Sequence, residues 1–251
     1  MEENKQMQYL FGMHPVIEAV KAGKRFDKVM LKQGLEGPQF RQLLELLEAK
    51  EINYQFVPVQ RLDRAVKGAH QGVIAYISQI DYVSLEDIVN NALAIKENPI
   101  LIILDGVSDV RNLGAIARTL ECAGGAGIIV PAKGGAAINA DAVKASAGAL
   151  MRIDTCKVPN LKLAAYYLRQ NGFKLVACTE KTDGLIYDVD MNCPIAIVMG
   201  SEGKGISHSM LELCDEKAAI PMVGEITSLN VSVASSVILY EAVRQRVAAA
   251  K

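Results

Sequence analysis

From Pro99 onward the chain alternates short, almost wholly apolar runs with amphipathic stretches. The runs fall at 100–105 (ILIILD), 126–131, 153–157, 174–179, 195–200 (IAIVMG) and 218–222 (AAIPM). None of them alternates apolar with polar positions. A strand that is apolar on both sides needs both faces of its sheet covered, so the pattern predicts a doubly wound α/β domain with a mostly parallel sheet between flanking helices. The segments between the runs supply those helices. Leu113, Ile116, Ala117 and Leu120 follow i, i+3, i+4, i+7 spacing and predict one buried stripe. A long final helix from Val231 carries Val233, Val237, Ile238, Leu239 and Val243 around most of its circumference. That distribution predicts cover on two sides, the sheet on one and a second subunit on the other; the alternative is a helix wholly inside one chain.

The first part of the chain has its own alternation. A helix at 15–21, a strand at 27–32, a helix at 39–49 and strands at 54–59 and 72–77 make a small α/β unit. Residues 81–98 are more polar, hold a short amphipathic stretch (LEDIVNNALAIKE) and end at Asn98-Pro99, where the restriction on the residue before proline disfavours continuing a helix. The expected division is an N-terminal unit over 1–80, a linker over 81–98 and a larger domain over 99–251. There is no internal repeat, and the only compositional bias is the short alanine run at 248–250.

With 251 residues and 51% hydrophobic content, the chain can fill a sizeable core. Lys and Arg number 27 against 28 Asp and Glu, so net charge gives no signature of a nucleic-acid partner; if RNA is bound, a local patch must meet its phosphates. Through residue 80 there are 11 basic and 9 acidic residues, and 16 against 19 thereafter. Five scattered cysteines without C-x-x-C spacing and three scattered histidines suggest neither a zinc site nor a disulfide framework. The polar start MEENKQMQY, and aliphatic runs far below the ~20 residues of a membrane span, lead to the expectation of a reduced, cytoplasmic chain that is neither secreted nor membrane-inserted.

Three polar, glycine-bearing segments follow or end apolar runs. The first leads from Asp105-Gly106 to NLGAIAR at 112–118, where Asn112 suits a helix N-cap. Arg118 lies off the buried stripe above Gly114 and Ala115, whose small side chains leave room for a ligand or another backbone. The alternative is an ordinary cap and an exposed arginine. The second, GSEGKGIS at 200–207, fails the spacing of a phosphate loop and of a dinucleotide fingerprint. Gly200, Gly203 and Gly205 allow close approach of backbone to a ligand, and Glu202 either fixes the loop or acts directly. The third, IPMVGEITSLNV at 220–231, offers Ser228 and Asn230 as caps of the final helix. Ligands of open α/β sheets collect beyond the carboxyl ends of strands, so the three segments read as one composite site.

In this order, these motifs resemble the SpoU branch of the SPOUT ribose 2′-O-methyltransferases, and most closely its 23S ribosomal-RNA guanosine enzymes. The resemblance covers 99–251, includes 139–150 with its Ser-Ala-Gly-Ala at 146–149, and extends to FGMHPVIEAV and HQGVIAYI, which are similar to the ribosomal-protein-like RNA-binding domain of those enzymes. It implies a trefoil-knotted catalytic domain, an exception to the rule against threaded chains. It further implies a homodimer, ribosomal RNA as partner, and S-adenosylmethionine, without a metal, held by loops around Gly200, Ile220 and Leu229. Its catalytic polar set would be Asn112, Arg118, Glu202, Ser228 and Asn230. A guanidinium keeps its proton, so Arg118 is expected to hold a phosphate and stabilise the incipient alkoxide, with the final proton acceptor left open. Two competitors are a transfer-RNA enzyme of the same family, disfavoured by the N-terminal unit, and a non-catalytic RNA-binding or ribosome-assembly module, disfavoured by retention of the whole polar set.

Overall fold

The computed structural model describes residues 9–50 and 52–250, which form two compact units, the first made of the described residues up to Gln79 together with Ile138–Ala140 and the second of the remainder. The first contains β1 (Tyr9–Phe11), α1 (Met13–Lys21), β2 (Phe26–Lys32), α2 (Pro38–Ala49), β3 (Tyr54–Val57), α3 (Val59–Ala65) and β4 (Val73–Ile77). Its sheet runs β1-β4-β2-β3, antiparallel except for the β2–β3 pair. Val16, Ile17 and Val20 of α1 and Leu43 and Leu47 of α2 bury one face against Val29, Leu31, Val73 and Ala75. Leu62 of α3, with Val66, closes part of the other face over Met30, Val57 and Ile74. The strand expected over 54–59 stops at Val57 because Pro58 has no N–H to donate and instead caps α3. Neither β1 nor α3 was legible in the apolar pattern, since three residues and seven residues are too short to establish a period.

The second unit contains β5 (Tyr82–Val83), α4 (Leu85–Ile95), β6 (Ile100–Asp105), α5 (Val110–Cys122), β7 (Gly127–Pro131), α6 (Ala140–Ala145), β8 (Asp154–Val158), α7 (Leu161–Gln170), β9 (Lys174–Cys178), β10 (Ile195–Gly200), α8 (His208–Leu211), β11 (Glu216–Ala218) and α9 (Val231–Ala249). Its seven strands run β11-β9-β10-β6-β7-β8-β5, and every pairing is parallel. On one face α4, α7 and α8 pack Ile88, Leu161, Leu168 and Met210 against Leu101, Ile103, Leu175 and Val198. On the other, α9 lies over β9 and β10 and packs along α5. This is the predicted doubly wound sheet, buried on both faces.

Two boundaries differ from expectation. Residues 81–98 are not a free linker: β5 extends the sheet by pairing with β8, and α4 buries Ile88, Val89 and Ala92. Its N-terminus is capped by Ser84, whose hydroxyl accepts from the Asp87 N–H at 3.0 Å. The last strand is Glu216–Ala218 rather than 218–222, because Pro221 cannot continue a ladder and Ile220 has already left it. Helix α9 buries Val231, Ser235, Ile238, Leu239 and Ala242, while Val233, Tyr240 and Val247 remain 48, 51 and 55% exposed. The end of α9 is tied back to the chain: the Gln245 side chain accepts from the Met191 N–H (2.8 Å) and donates to the Val189 carbonyl (2.9 Å), and Arg246 donates to the carbonyls of Met191 and Cys193.

Gly114 answers the question of what its small side chain admits. A Cβ there would lie 2.5 Å from the Cβ of Ala145 and 2.9 Å from the Ala142 carbonyl, so it admits the backbone of α6. Among the described residues no helix is long and apolar enough to cross a membrane. The place of α4 in the core gives a direct test. Ile88→Ala should cost about 2–5 kcal/mol, as for other buried large-to-small changes, and chemical denaturation measures it. A loss within experimental error would return 81–98 to the status of a linker.

Candidate active site

The first turn of α5 is held by Asp109, not by the Asn112 cap expected from sequence. The Asp109 carboxylate accepts from the N–H groups of Arg111 (2.8 Å) and Asn112 (2.9 Å). The consequence is that the Asn112 side chain is released from capping and reaches across to another loop. Asp105, at the end of β6, likewise accepts from the Ser207 N–H at 2.7 Å and fixes the start of α8 to the neighbouring strand end.

After β10 the chain makes a tight turn closed by Ser201 N–H to Gly205 carbonyl (3.1 Å) and Gly205 N–H to Ser201 carbonyl (2.9 Å). Gly203 and Gly205 take φ of 86° and 71°, a left-handed conformation that needs glycine. Gly200 plays a different part from the one expected. A Cβ there would collide with the backbone of Gly205 and Ile206, so its missing side chain accommodates the chain's own turn rather than a ligand. The turn presents Glu202.

Glu202 joins the three motifs. Its Oε1 accepts from the side-chain amides of Asn112 (3.0 Å) and Asn230 (2.5 Å), and Asn230 also donates to Asn112 Oδ1 at 3.0 Å. Asn230 caps α9, its Oδ1 accepting from the Ser232 N–H (2.9 Å) and hydroxyl (2.6 Å). The result is a closed triangle of Asn112, Glu202 and Asn230. Ser228 and Arg118 stand outside it: Ser228 lines the adjoining cavity, and Arg118 is exposed further along α5 without lining it.

The cavity holds about 510 Å³ beyond the carboxyl ends of β9 and β10. Met199, Ile220, Leu229 and Val231 give it apolar walls, and Thr179, Glu180, Ser201 and Ser228 give it polar ones. That size and mixture suit a small organic ligand with a polar head and a flat apolar part. Gly200, Ile220 and Leu229 all line it. The sequence reading missed the β9 end, where Cys178, Thr179 and Glu180 complete the wall. The polar residues that follow that apolar run are the signal that points there. Burial, reinforced by the charge of Glu180, pushes the Cys178 thiol up to about 12. It is therefore protonated at neutral pH and offers no nucleophile. Among the described residues, no three His, Cys, Asp or Glu side chains gather as a metal site.

A cavity at the carboxyl edge of a fully parallel sheet, walled by the residues that follow β9 and β10 and by the segment leading into α9, is the arrangement of a cofactor-dependent α/β enzyme. Residues 99–240 match the sequence model of the SpoU rRNA methylase family, residues 9–83 match that described as RNA 2′-O ribose methyltransferase substrate binding, and the chain belongs to this family. It is an S-adenosylmethionine-dependent RNA ribose 2′-O-methyltransferase of the SpoU/TrmH type. YacO of Bacillus subtilis strain 168, named for the TrmH family of tRNA/rRNA methyltransferases, is 35% identical over 243 residues, 97% of this chain and 98% of its own. The SpoU methyltransferase AviRb from Streptomyces viridochromogenes, whose structure is also known in complex with the cofactor AdoMet, superposes with a TM-score of 0.62 at 26% identity, over 96% of this chain and 90% of AviRb. The A. aeolicus TrmH/SpoU tRNA modifying enzyme, at 30% identity and a TM-score of 0.56, spans 66% of this chain and 86% of its own.

Two glycine substitutions separate turn geometry from ligand space. Gly203→Ala points into open space and should cost only the left-handed penalty of about 1–2 kcal/mol. Gly200→Ala must displace the 201–205 turn, so it should lower both the melting temperature and S-adenosylmethionine affinity, read by calorimetry. Equal behaviour of the two variants would contradict the packing described for Gly200.

Proposed function

We propose that this enzyme methylates the ribose 2′-hydroxyl of a guanosine in 23S ribosomal RNA, with S-adenosylmethionine seated in the cavity beside Gly200, Ile220 and Leu229. The observation that carries this reading is the Asn112–Glu202–Asn230 triangle, which ties the first motif to the two others, and whose Glu202 and Asn230 line that cavity. A bound S-adenosylmethionine supplies a sulfonium methyl that is already an activated electrophile, a chemistry that calls for no metal. The residues of the chain are left with positioning and charge. Glu202, accepting from two amides, fixes the 201–205 turn and the start of α9 relative to α5, and so sets the shape of the site. Ser228 offers a hydroxyl at the cavity wall. Arg118 carries a guanidinium that holds a phosphate and stabilises negative charge growing on the 2′-oxygen.

Ribosomal rather than transfer RNA is favoured by extent. A structure described as an rRNA methyltransferase from Sinorhizobium meliloti matches 94% of the chain, whereas the A. aeolicus tRNA modifying enzyme covers only 66% of it. The reading includes a cytoplasmic homodimer. Its support is α9, where Val233, Tyr240 and Val247 recur every seven residues on the uncovered side of the helix, the spacing of a helix–helix seam. Arg118 does not line the cavity of its own chain, so bound RNA or a second copy would complete the reacting site.

Comparing ribose methylation of ribosomal and transfer RNA from cells with and without the gene tests the substrate. One guanosine of 23S RNA should lose its mark, and loss confined to transfer RNA would replace this reading. In single-turnover transfer with saturating RNA and cofactor, Arg118→Ala should slow methylation on the order of 10²-fold or more, with little recovery in Arg118→Lys, because an ammonium lacks the planar fork. A folded Arg118→Ala protein of nearly wild-type rate would remove Arg118 from the mechanism. Light scattering should give twice the 27.1 kDa chain mass, and an active monomer would exclude the dimer.

A further inference from the structure

The N-terminal sheet leaves part of its second face open. Its register sets Lys28 of β2 opposite Tyr76 of β4, and Tyr76 opposite Tyr9 of β1, so a cation and two phenol rings form one row across three strands. The next row on that face, Met30, Ile74 and Phe11, lies under Leu62 and Val66. In the outer row Tyr76 and Tyr9 pack on the margin of that cluster, and they and Lys28 are only partly buried. The Tyr9 and Tyr76 centroids are 6.2 Å apart at an interplanar angle of 57°, and Lys28 Nζ stands 5.0 Å from the Tyr76 centroid.

The surroundings are cationic although the whole chain carries a net charge of −1. Arg61 acts on the Tyr76 hydroxyl: burial and the neighbouring Tyr9 push that hydroxyl up, and the guanidinium pulls against them. Arg64 and Lys67 are exposed on and just after the same helix, and the nearby Asp63 is engaged by His70 at 2.9 Å. Partly exposed aromatic rings bordered by cations suit a polyanion whose flat groups are free to stack. In a duplex those flat groups are sequestered, whereas an unpaired nucleotide offers both its base and its phosphate.

The geometry points to the Lys28–Tyr76–Tyr9 row as a stacking platform for an unpaired nucleobase of the RNA substrate, with Lys28 and Arg61 holding the flanking phosphates. This rests on the RNA-methyltransferase reading for the identity of the polymer, and it names the surface by which the N-terminal unit grips it. Lys28 at present caps the Tyr76 ring; on binding, its ammonium swings from the ring to the phosphate of the stacked nucleotide, exchanging a cation–π contact for an ion pair.

The test uses the full-length protein and a short single-stranded RNA carrying 2-aminopurine, with the same sequence as a duplex for comparison. Tyr76→Leu and Tyr9→Leu should each weaken single-strand binding by about 5- to 100-fold, and Tyr76→Phe by no more than about two-fold, the scale of losing one base–aromatic stack. The fluorescence quenching of 2-aminopurine should fall with the rings, and Lys28→Gln should make the salt dependence shallower. Cofactor affinity, which the platform does not touch, should stay at its wild-type value, and a thermal melt establishes that each variant is folded. If Tyr76→Leu does not fold, Tyr9→Leu and Lys28→Gln at the margin of the sheet carry the same comparison. Folded leucine variants that bind and quench like wild type would overturn the platform. Methyl transfer by the wild-type protein is read separately. Its absence would remove the enzymatic reading alone, whereas transfer together with unaffected leucine variants would remove the platform alone.

Discussion

Strands β6 and β10 pair along their whole length, Ile195 with Ile100 through to Gly200 with Asp105, and every residue in that pairing except Asp105 is buried. These two central strands, enclosed on both faces and paired on both edges, carry no polar side chain before Asp105, because an unpartnered one in that environment costs several times what a normal hydrogen bond returns. Chemistry is therefore displaced to the carboxyl ends, where Asp105, Glu180, Ser201 and Glu202 appear within a residue or two of the last ladder bond. The site is where it is because the centre of the sheet excludes it.

What the sheet cannot supply is the relative placement of the loops that leave it. That falls to Glu202, whose carboxylate draws amides from positions 90 residues earlier and 28 residues later in the chain. Hydrogen bonds to a charged acceptor are among the stronger ones, but these lie at the surface, where water competes. The triangle therefore orients the loops more than it stabilises the fold, and the stability resides in the apolar layers beneath.

Much of this was legible in the sequence because burial on both faces leaves an unmistakable apolar run, and five of the six strands expected after Pro99 stand within a residue or so of their places. The misplacements have physical causes. Asn112 reads as a cap in isolation, but Asp109 three residues earlier is as good a cap, and only the tertiary partner Glu202 decides between them. Gly200 reads as ligand space because the sequence does not reveal that its own turn folds back over it. Residues 81–98 read as a linker because α4 buries only the single stripe of Ile88, Val89 and Ala92, and its polar remainder dominates the composition. The row of Lys28, Tyr76 and Tyr9 was invisible for another reason: it exists only once the register of three strands far apart in the chain is known.

The third corner of the triangle, Asn230, is also the cap of the last helix, and that helix is fastened at its far end by Gln245 and Arg246 to the segment before β10. During synthesis the sheet strands through β11 emerge before either fastening exists. A nascent chain that has not yet made α9 thus lacks one wall of its cavity, and it acquires a closed site only once that helix has been made and fastened. Order of manufacture becomes a safeguard: a prematurely terminated product that ends before α9 retains the RNA-family N-terminal unit but not the triangle, and is left without the means to finish the site.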